Sequence, residues 1–248
     1  MTVPVTPQPP PSALYRSLLP DRIVTTAEQL TRRIAERFPQ SSLVAVSREL
    51  KQVADEAVTR TQRIRQPNYW IRSIVAGLLA MLLGIILTAF LSVQWKEADN
   101  AELFVFEHFI QSLEAGLGSL VFLGAAIAFL ISVEKRWKRE RLLSALRELR
   151  ALAHVVDMHQ LTKDPQSLTQ CRPTQSSPQR TMTTFELGRY LDYCTEMLSV
   201  IGKIAAIYVQ EFPDADAVEA ADELTRLTND LARHIWQKIM ILDRAVEK

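Results

Sequence analysis

Glycine is scarce in this chain, with seven residues among 248. Alternating β-branched runs are scarce as well, and the two shortages together argue against a sheet. Cysteine occurs twice, at Cys171 and Cys194, without the spacing of a metal-ligand pair. The patterns G-x-x-x-x-G-K-S/T, G-x-G-x-x-G, G-x-S-x-G and C-x-x-C are all missing. A phosphate-binding loop, a Rossmann-type cofactor fingerprint and an α/β-hydrolase nucleophile therefore lack support. Charge is missing from two long stretches, Ser73–Val93 and Ala115–Val133, neither of which holds an ionisable side chain.

A hydrocarbon core of about 30 Å needs roughly 20 residues of helix at about 1.5 Å each, and both stretches come close to that. In lipid the backbone must satisfy its own hydrogen bonds, so both are expected to be helical. Positive charge orients them. Arg60, Arg63, Arg65 and Arg72 precede the first stretch, and Lys135, Arg136, Lys138, Arg139 and Arg141 follow the second. Between them Lys96 stands against Glu97, Asp99, Glu102, Glu107 and Glu114. The expectation is a transmembrane hairpin with two spans and both termini cytoplasmic, in an inner or plasma membrane. Trp70 and Trp95 bracket the first span, and Tyr69 and Trp137 add anchors at the inner edge, beside the basic residues Lys135, Arg136, Lys138 and Arg139. The competing expectation is a soluble protein with a buried helical hairpin. Net charge of +1 and near-neutral mean hydropathy allow it. Two successive helices without a polar face weigh against it.

The rest of the chain reads as helix and linker. Residues 1–20 are rich in proline and lack an apolar signal-peptide core, which predicts a disordered tail and leaves insertion to the first span. Ile23, Ala27, Leu30 and Ile34 predict a helix over Asp21–Phe38, ended by Pro39. Leu43, Val46, Leu50, Val53, Ala57 and Ile64 form the seam of a second helix, broken by Pro67. Residues 67–133 form the hairpin, with an acidic, partly amphipathic outer loop at 94–114. On that loop Leu103, Phe106, Ile110 and Leu113 share a helical face, which suits the outer headgroup layer. Below the second span, Leu142, Leu146, Leu149, Ala153 and Val156 make a coiled-coil-like seam on a stalk helix over residues 134–161. No glycine or proline interrupts Ala125–Asp164, so one helix from bilayer to cytoplasm is allowed. A linker at 162–183 carries Pro165, Pro173 and Pro178.

Thr183 and Glu186 resemble a capping box for the next helix, which buries Leu187, Leu191, Cys194, Leu198, Ile201, Ala205 and Tyr208. Pro213 closes it, and Asp214 or Asp216 caps a last helix burying Leu224, Leu227, Leu231, Ile235, Ile239 and Leu242. The fold class expected is all-α: an integral membrane helical hairpin carrying a cytoplasmic helical bundle built from 21–66, the stalk and 184–248. Each seam is too narrow to bury alone, so the segments must pack together.

Ala76, Ala80, Gly84 and Thr88 lie four apart on the first span, as do Gly124, Ala128 and Ser132 on the second. Small residues at that spacing let helices approach closely, within the hairpin or between copies. Glu114 opens the second span and would face the pore mouth if copies formed a ring. His154, Asp157 and His159 are the only cluster resembling an active site. The histidines are five apart rather than the i, i+4 of a helical zinc pair. Hydrogen bonding between stalk and bundle is the expected role. The basic run Lys135–Arg141 suits anionic lipid rather than nucleic acid. No catalytic, cofactor or metal residue is assigned. The leading expectation is a non-enzymatic membrane-anchored scaffold, adaptor or assembly factor, in contact with the lipid bilayer and with copies of itself or another protein. An oligomeric cation channel ranks second, and a metal-binding or hydrolytic site at His154 third.

Overall fold

The computed structural model describes residues 17–65, 69–96, 102–163 and 182–246. Every regular element among them is a helix: α1 (Pro20–Arg37), α2 (Leu43–Arg65), α3 (Tyr69–Lys96), α4 (Glu102–Leu161), α5 (Thr184–Glu211) and α6 (Ala215–Val246). The all-α class expected from the sequence holds. The chain divides into two compact units, one of residues up to Arg65 and from Arg141 onward, the other Gln66–Glu140. Most of the tail (1–16), Pro67, the loop residues 97–101 and most of the linker (164–181, with Cys171) lie outside the described residues, as do the side chains of Ile64 and Trp95.

The first unit is a helical bundle around one apolar core. α1 begins with Pro20 at its first turn beside Asp21 and ends with Arg37, charges that suit the helix dipole. Its stripe Ile23, Ala27, Leu30 and Ile34 is buried, as expected. α2 buries the expected Leu43, Val46, Leu50, Val53 and Ala57. On α4 the seam Leu142, Leu146, Leu149, Ala153 and Val156 joins the same core. α6 buries Leu224, Leu231, Ile235 and Leu242, with Leu227 and Ile239 partly covered.

α5 is different. It buries all seven expected residues and also Tyr190, Tyr193, Met197, Val200, Ile204 and Ile207, so it is covered on almost every side. It packs against α1, α2 and α6 and is the hub of the bundle. Full burial of one Leu or Ile contributes roughly 1.5–3 kcal/mol, which places most of the stability here. The capping box is present: Glu186 N donates to Thr183 Oγ1 at 3.2 Å, and Thr183 N donates to the Glu186 carboxylate at 2.8 Å. At its other end Asp214 N donates to Phe212 O and Val218 N donates to Asp214 O, a tight turn that starts α6. A Cβ on Gly202 would stand 3.4 Å from Thr228 Oγ1, so α5 and α6 run close there.

Polar links fix the neighbours. Thr31 Oγ1 donates to Ser47 O at 2.9 Å between α1 and α2. Arg60 reaches Glu148 at 2.6 Å between α2 and α4, and Arg150 reaches Glu223 at 2.6 Å between α4 and α6. Half-exposed pairs of this kind contribute roughly 0–1 kcal/mol each, so they set register more than stability. Leu18, ahead of α1, is held through its backbone: its N–H donates to Gln210 Oε1 at 2.9 Å and its carbonyl accepts from Gln210 Nε2 at 3.3 Å.

The second unit has no buried residue among those described. Among the described residues one stretch, Gly116–Leu161, is long and apolar enough to cross a membrane, and 0% of its most apolar window is buried. Ser73–Ile85 is a shorter apolar stretch within α3. Large side chains such as Phe122 (80% exposed) and Phe129 (68%) stand outward. α4 also joins in one helix three segments that the sequence divides: the outer-loop face from Glu102, the second span and the stalk. Gly116 and Gly118 are too few to break a helix flanked by strong formers.

Candidate functional site

The bundle carries a groove of about 730 Å³ where the α1–α2 turn, the last turn of α4 and the first turns of α5 meet. Pro39 stops α1 and forces the turn Phe38–Ser42, in which Ser41 N donates to Phe38 O and Ser41 Oγ accepts from Leu43 N. Phe38 packs edge-on to Tyr190 (5.6 Å between ring centres) and Tyr193 (6.2 Å), locking the end of α1 to the start of α5. Phe38, Pro39, Met158, Met182 and Tyr190 give the groove its apolar lining; Ser41, Ser42, His159, Thr162, Lys163 and Glu186 give it polar groups.

Its electrostatics are defined by a few contacts. Lys163 Nζ lies 5.5 Å from the centre of the Tyr190 ring, and the Arg37 guanidinium lies 5.6 Å from the Phe185 ring. Burial pushes the Tyr190 phenol up to about 12, so it is a neutral hydroxyl at physiological pH. The backbone N–H of Thr183 holds the Glu186 carboxyl below its ordinary value, with help from Arg37. His159 Nδ1 is 2.8 Å from Val155 O, and since a carbonyl only accepts, Nδ1 carries the proton.

The histidine cluster does not assemble. His154 is exposed, His159 turns to its own helix, and Asp157 accepts from Gln160 Nε2 at 2.7 Å. Gln160, only 2% exposed, in turn accepts from Lys238 of α6, so the hydrogen bond from stalk to bundle is made by Gln160 and not by His154, Asp157 or His159, to which the sequence assigned it. Among the described residues no group of three or more His, Cys, Asp or Glu is placed to hold a metal ion. Cys194 is a free, buried thiol whose pKa burial raises to about 12. It is no nucleophile at neutral pH.

In the second unit the small residues Ala76, Ala80, Gly84 and Thr88, and likewise Gly124, Ala128 and Ser132, are all exposed within the chain. A Cβ on Gly84 or Gly124 would meet nothing within 4 Å. The half-covered faces are instead Ile74, Leu78 and Leu82 on α3 and Leu123, Ile127 and Leu130 on α4. Trp70, Lys135, Arg136 and Trp137 are exposed, Arg139 is half-buried, and Lys138 pairs with Glu134 at 2.8 Å. Glu114 is exposed. Sequence reasoning missed the groove, since its lining comes from three segments far apart in the chain; the turn prolines and the capping box were its only visible signals. Comparison with protein-family models, curated proteins and solved structures finds no match to this chain.

Proposed function

We propose that this protein is a non-enzymatic scaffold anchored in a membrane by a two-span hairpin, carrying a cytoplasmic helical bundle that receives protein partners. The observation that carries the reading is a contrast of surfaces. The bundle hides Leu30, Leu191 and Ile201 completely, whereas the apolar window of α4 is 0% buried. Water disfavours such a surface by about 25 cal/mol per Å², and lipid does not. α3, at 28 residues, extends about 42 Å and supports a second span. The arginines before α3 and the basic run after the apolar part of α4 support cytoplasmic termini. Lys135, Arg136, Lys138 and Arg139 suit anionic headgroups at about 1 kcal/mol each.

Several placements favour binding over catalysis. Cys194 is sealed and protonated, and His154 and His159 point to separate surroundings. Exposure of both small-residue rows favours contacts between copies over contacts within the hairpin. The channel alternative rests on exposed Glu114 alone and ranks second; a cation conductance in planar bilayers that disappears in Glu114→Gln would place it first.

Topology and partnership are tested together. In a chain lacking Cys171, Asn100→Cys is expected to react with an impermeant maleimide from outside intact cells, and the protein to resist alkaline carbonate. Cross-linking in native membranes is expected to attach a protein to the bundle. Labelling only after permeabilisation, or release by carbonate, would reject the anchored reading.

A further inference from the structure

α1 starts without the capping that its neighbours have. α5 begins on the Thr183–Glu186 capping box, and in the turn before α2 the Ser41 hydroxyl accepts from Leu43 N. The residue ahead of α1 is Leu19, whose side chain caps nothing. Pro20 disfavours helical backbone at the residue before it, and Leu19 is extended, with φ −94° and ψ 116°. The Leu19 carbonyl accepts from Arg22 N at 3.1 Å and from Ile23 N at 3.4 Å. The first turn of α1 therefore depends on where Leu19 is held.

Apolar burial does little to hold it there. Residues 17–19, Asp21 and Arg22 are exposed, Pro20 is half-buried, and Ile23 is the first buried side chain. The hydroxyls of Thr25 and Thr26 bond back to the carbonyls of Asp21 and Arg22, a geometry that slightly weakens and bends a helix. Against this stands one contact from far along the chain. Gln210 commits both halves of its amide to Leu18: Oε1 accepts from the Leu18 N–H, and Nε2 donates to the Leu18 carbonyl. Such an exchange of both bonds fixes an extended residue as a neighbouring antiparallel strand would. The base of the contact is firm, because Ile207 and Tyr208 next to it on α5 are buried. The Gln210 side chain itself is exposed, so water competes for both bonds and the contact is reversible.

We propose that Gln210 is a latch on the entry to α1. Closed, it holds residues 18–19 at the end of α5 and keeps the first turn of α1 wound. Open, it releases residues 17–22 while the core from Ile23 onward stays packed. The bundle thus has a built-in local opening, the kind of low-stability element from which conformational switches are drawn. The proposal goes beyond the scaffold reading and does not depend on it.

The test is hydrogen exchange followed by mass spectrometry on the full-length chain in detergent micelles. In the wild type, exchange over residues 17–22 is expected to be much faster than in the α5 core at 191–204. It should also be insensitive to low concentrations of urea, as a local opening is, whereas the core amides respond. Gln210→Ala removes two hydrogen bonds at a surface position, so the variant is expected to keep the wild-type helical signal. Its exchange over 17–22 is expected to rise about five- to tenfold. Glu211→Ala, one residue further along α5, is expected to leave that exchange unchanged. Unaltered exchange in Gln210→Ala, an equal rise in Glu211→Ala, or exchange over 17–22 that tracks the core in urea would each overturn the latch.

Discussion

Lys238 of α6 donates to both oxygens of Gln160 on the last turn of α4, to Oε1 at 2.6 Å and to the backbone carbonyl at 3.2 Å. A cation at a helix C-terminus also suits the dipole there. Lys238→Ala would leave the buried amide oxygen without its donor. The expected cost is about 1–3 kcal/mol, read from denaturant unfolding of the purified chain, and an unchanged midpoint would sink the idea.

The hub position of α5 sets a second expectation. Leu191 and Ile201 are fully buried, so truncation of either to Ala should cost about 2–5 kcal/mol. Phe122→Ala, in the other unit, should leave the bundle's unfolding midpoint unchanged because Phe122 faces outward. Equal effects from the two units would contradict the division of the chain.

Alkaline pH should loosen the bundle. Burial raises the Tyr190 and Tyr208 phenols from 10.0 and the Cys194 thiol from 9.0, each to about 12. The unfolded chain releases these protons first, so stability held below about pH 9 declines as pH rises toward about 12. The buried Tyr208 hydroxyl faces the Arg60 guanidinium without completing a well-formed hydrogen bond to it. Tyr208→Phe should therefore match or exceed wild-type stability at neutral pH, by up to about 1 kcal/mol, and lose less between pH 8 and 11. A loss of more than that at neutral pH would show that the hydroxyl is bonded.

In a Cys171→Ser chain, Cys194 should resist maleimide under native conditions and react once denaturant unfolds the bundle, because the thiol is buried and protonated. Rapid native labelling, followed by mass, would place Cys194 at a surface.

Gly84→Leu and Gly124→Leu meet open space within the chain. Neither should shift the bundle's unfolding midpoint, while both should reduce cross-linked dimers in membranes. Unchanged dimer yield would exclude the small-residue rows from contact between copies.

Much of this was legible in the chain itself. Period and punctuation determined the helices: Pro39 and Pro213 as stops, Thr183 with Glu186 as a start, and buried stripes such as Ile23-Ala27-Leu30-Ile34. They did so because helix termini and amphipathic faces are local properties, fixed within a turn or two. The absence of charge from 73–93 and 115–133 likewise needs no fold to be seen.

What only the tertiary structure decided is how distant segments share surfaces. A single stripe was visible on α5, yet the fold covers it on nearly all sides, because three neighbours pack against one helix and a periodicity reports only the strongest face. Gln160 reads as one more polar residue until Lys238 arrives from α6. The groove exists only because residues 38–42, 158–163 and 182–190 meet, and its exposed Met158 acquires meaning from that meeting. Local chemistry wrote the helices; long-range packing chose which of their faces would remain open.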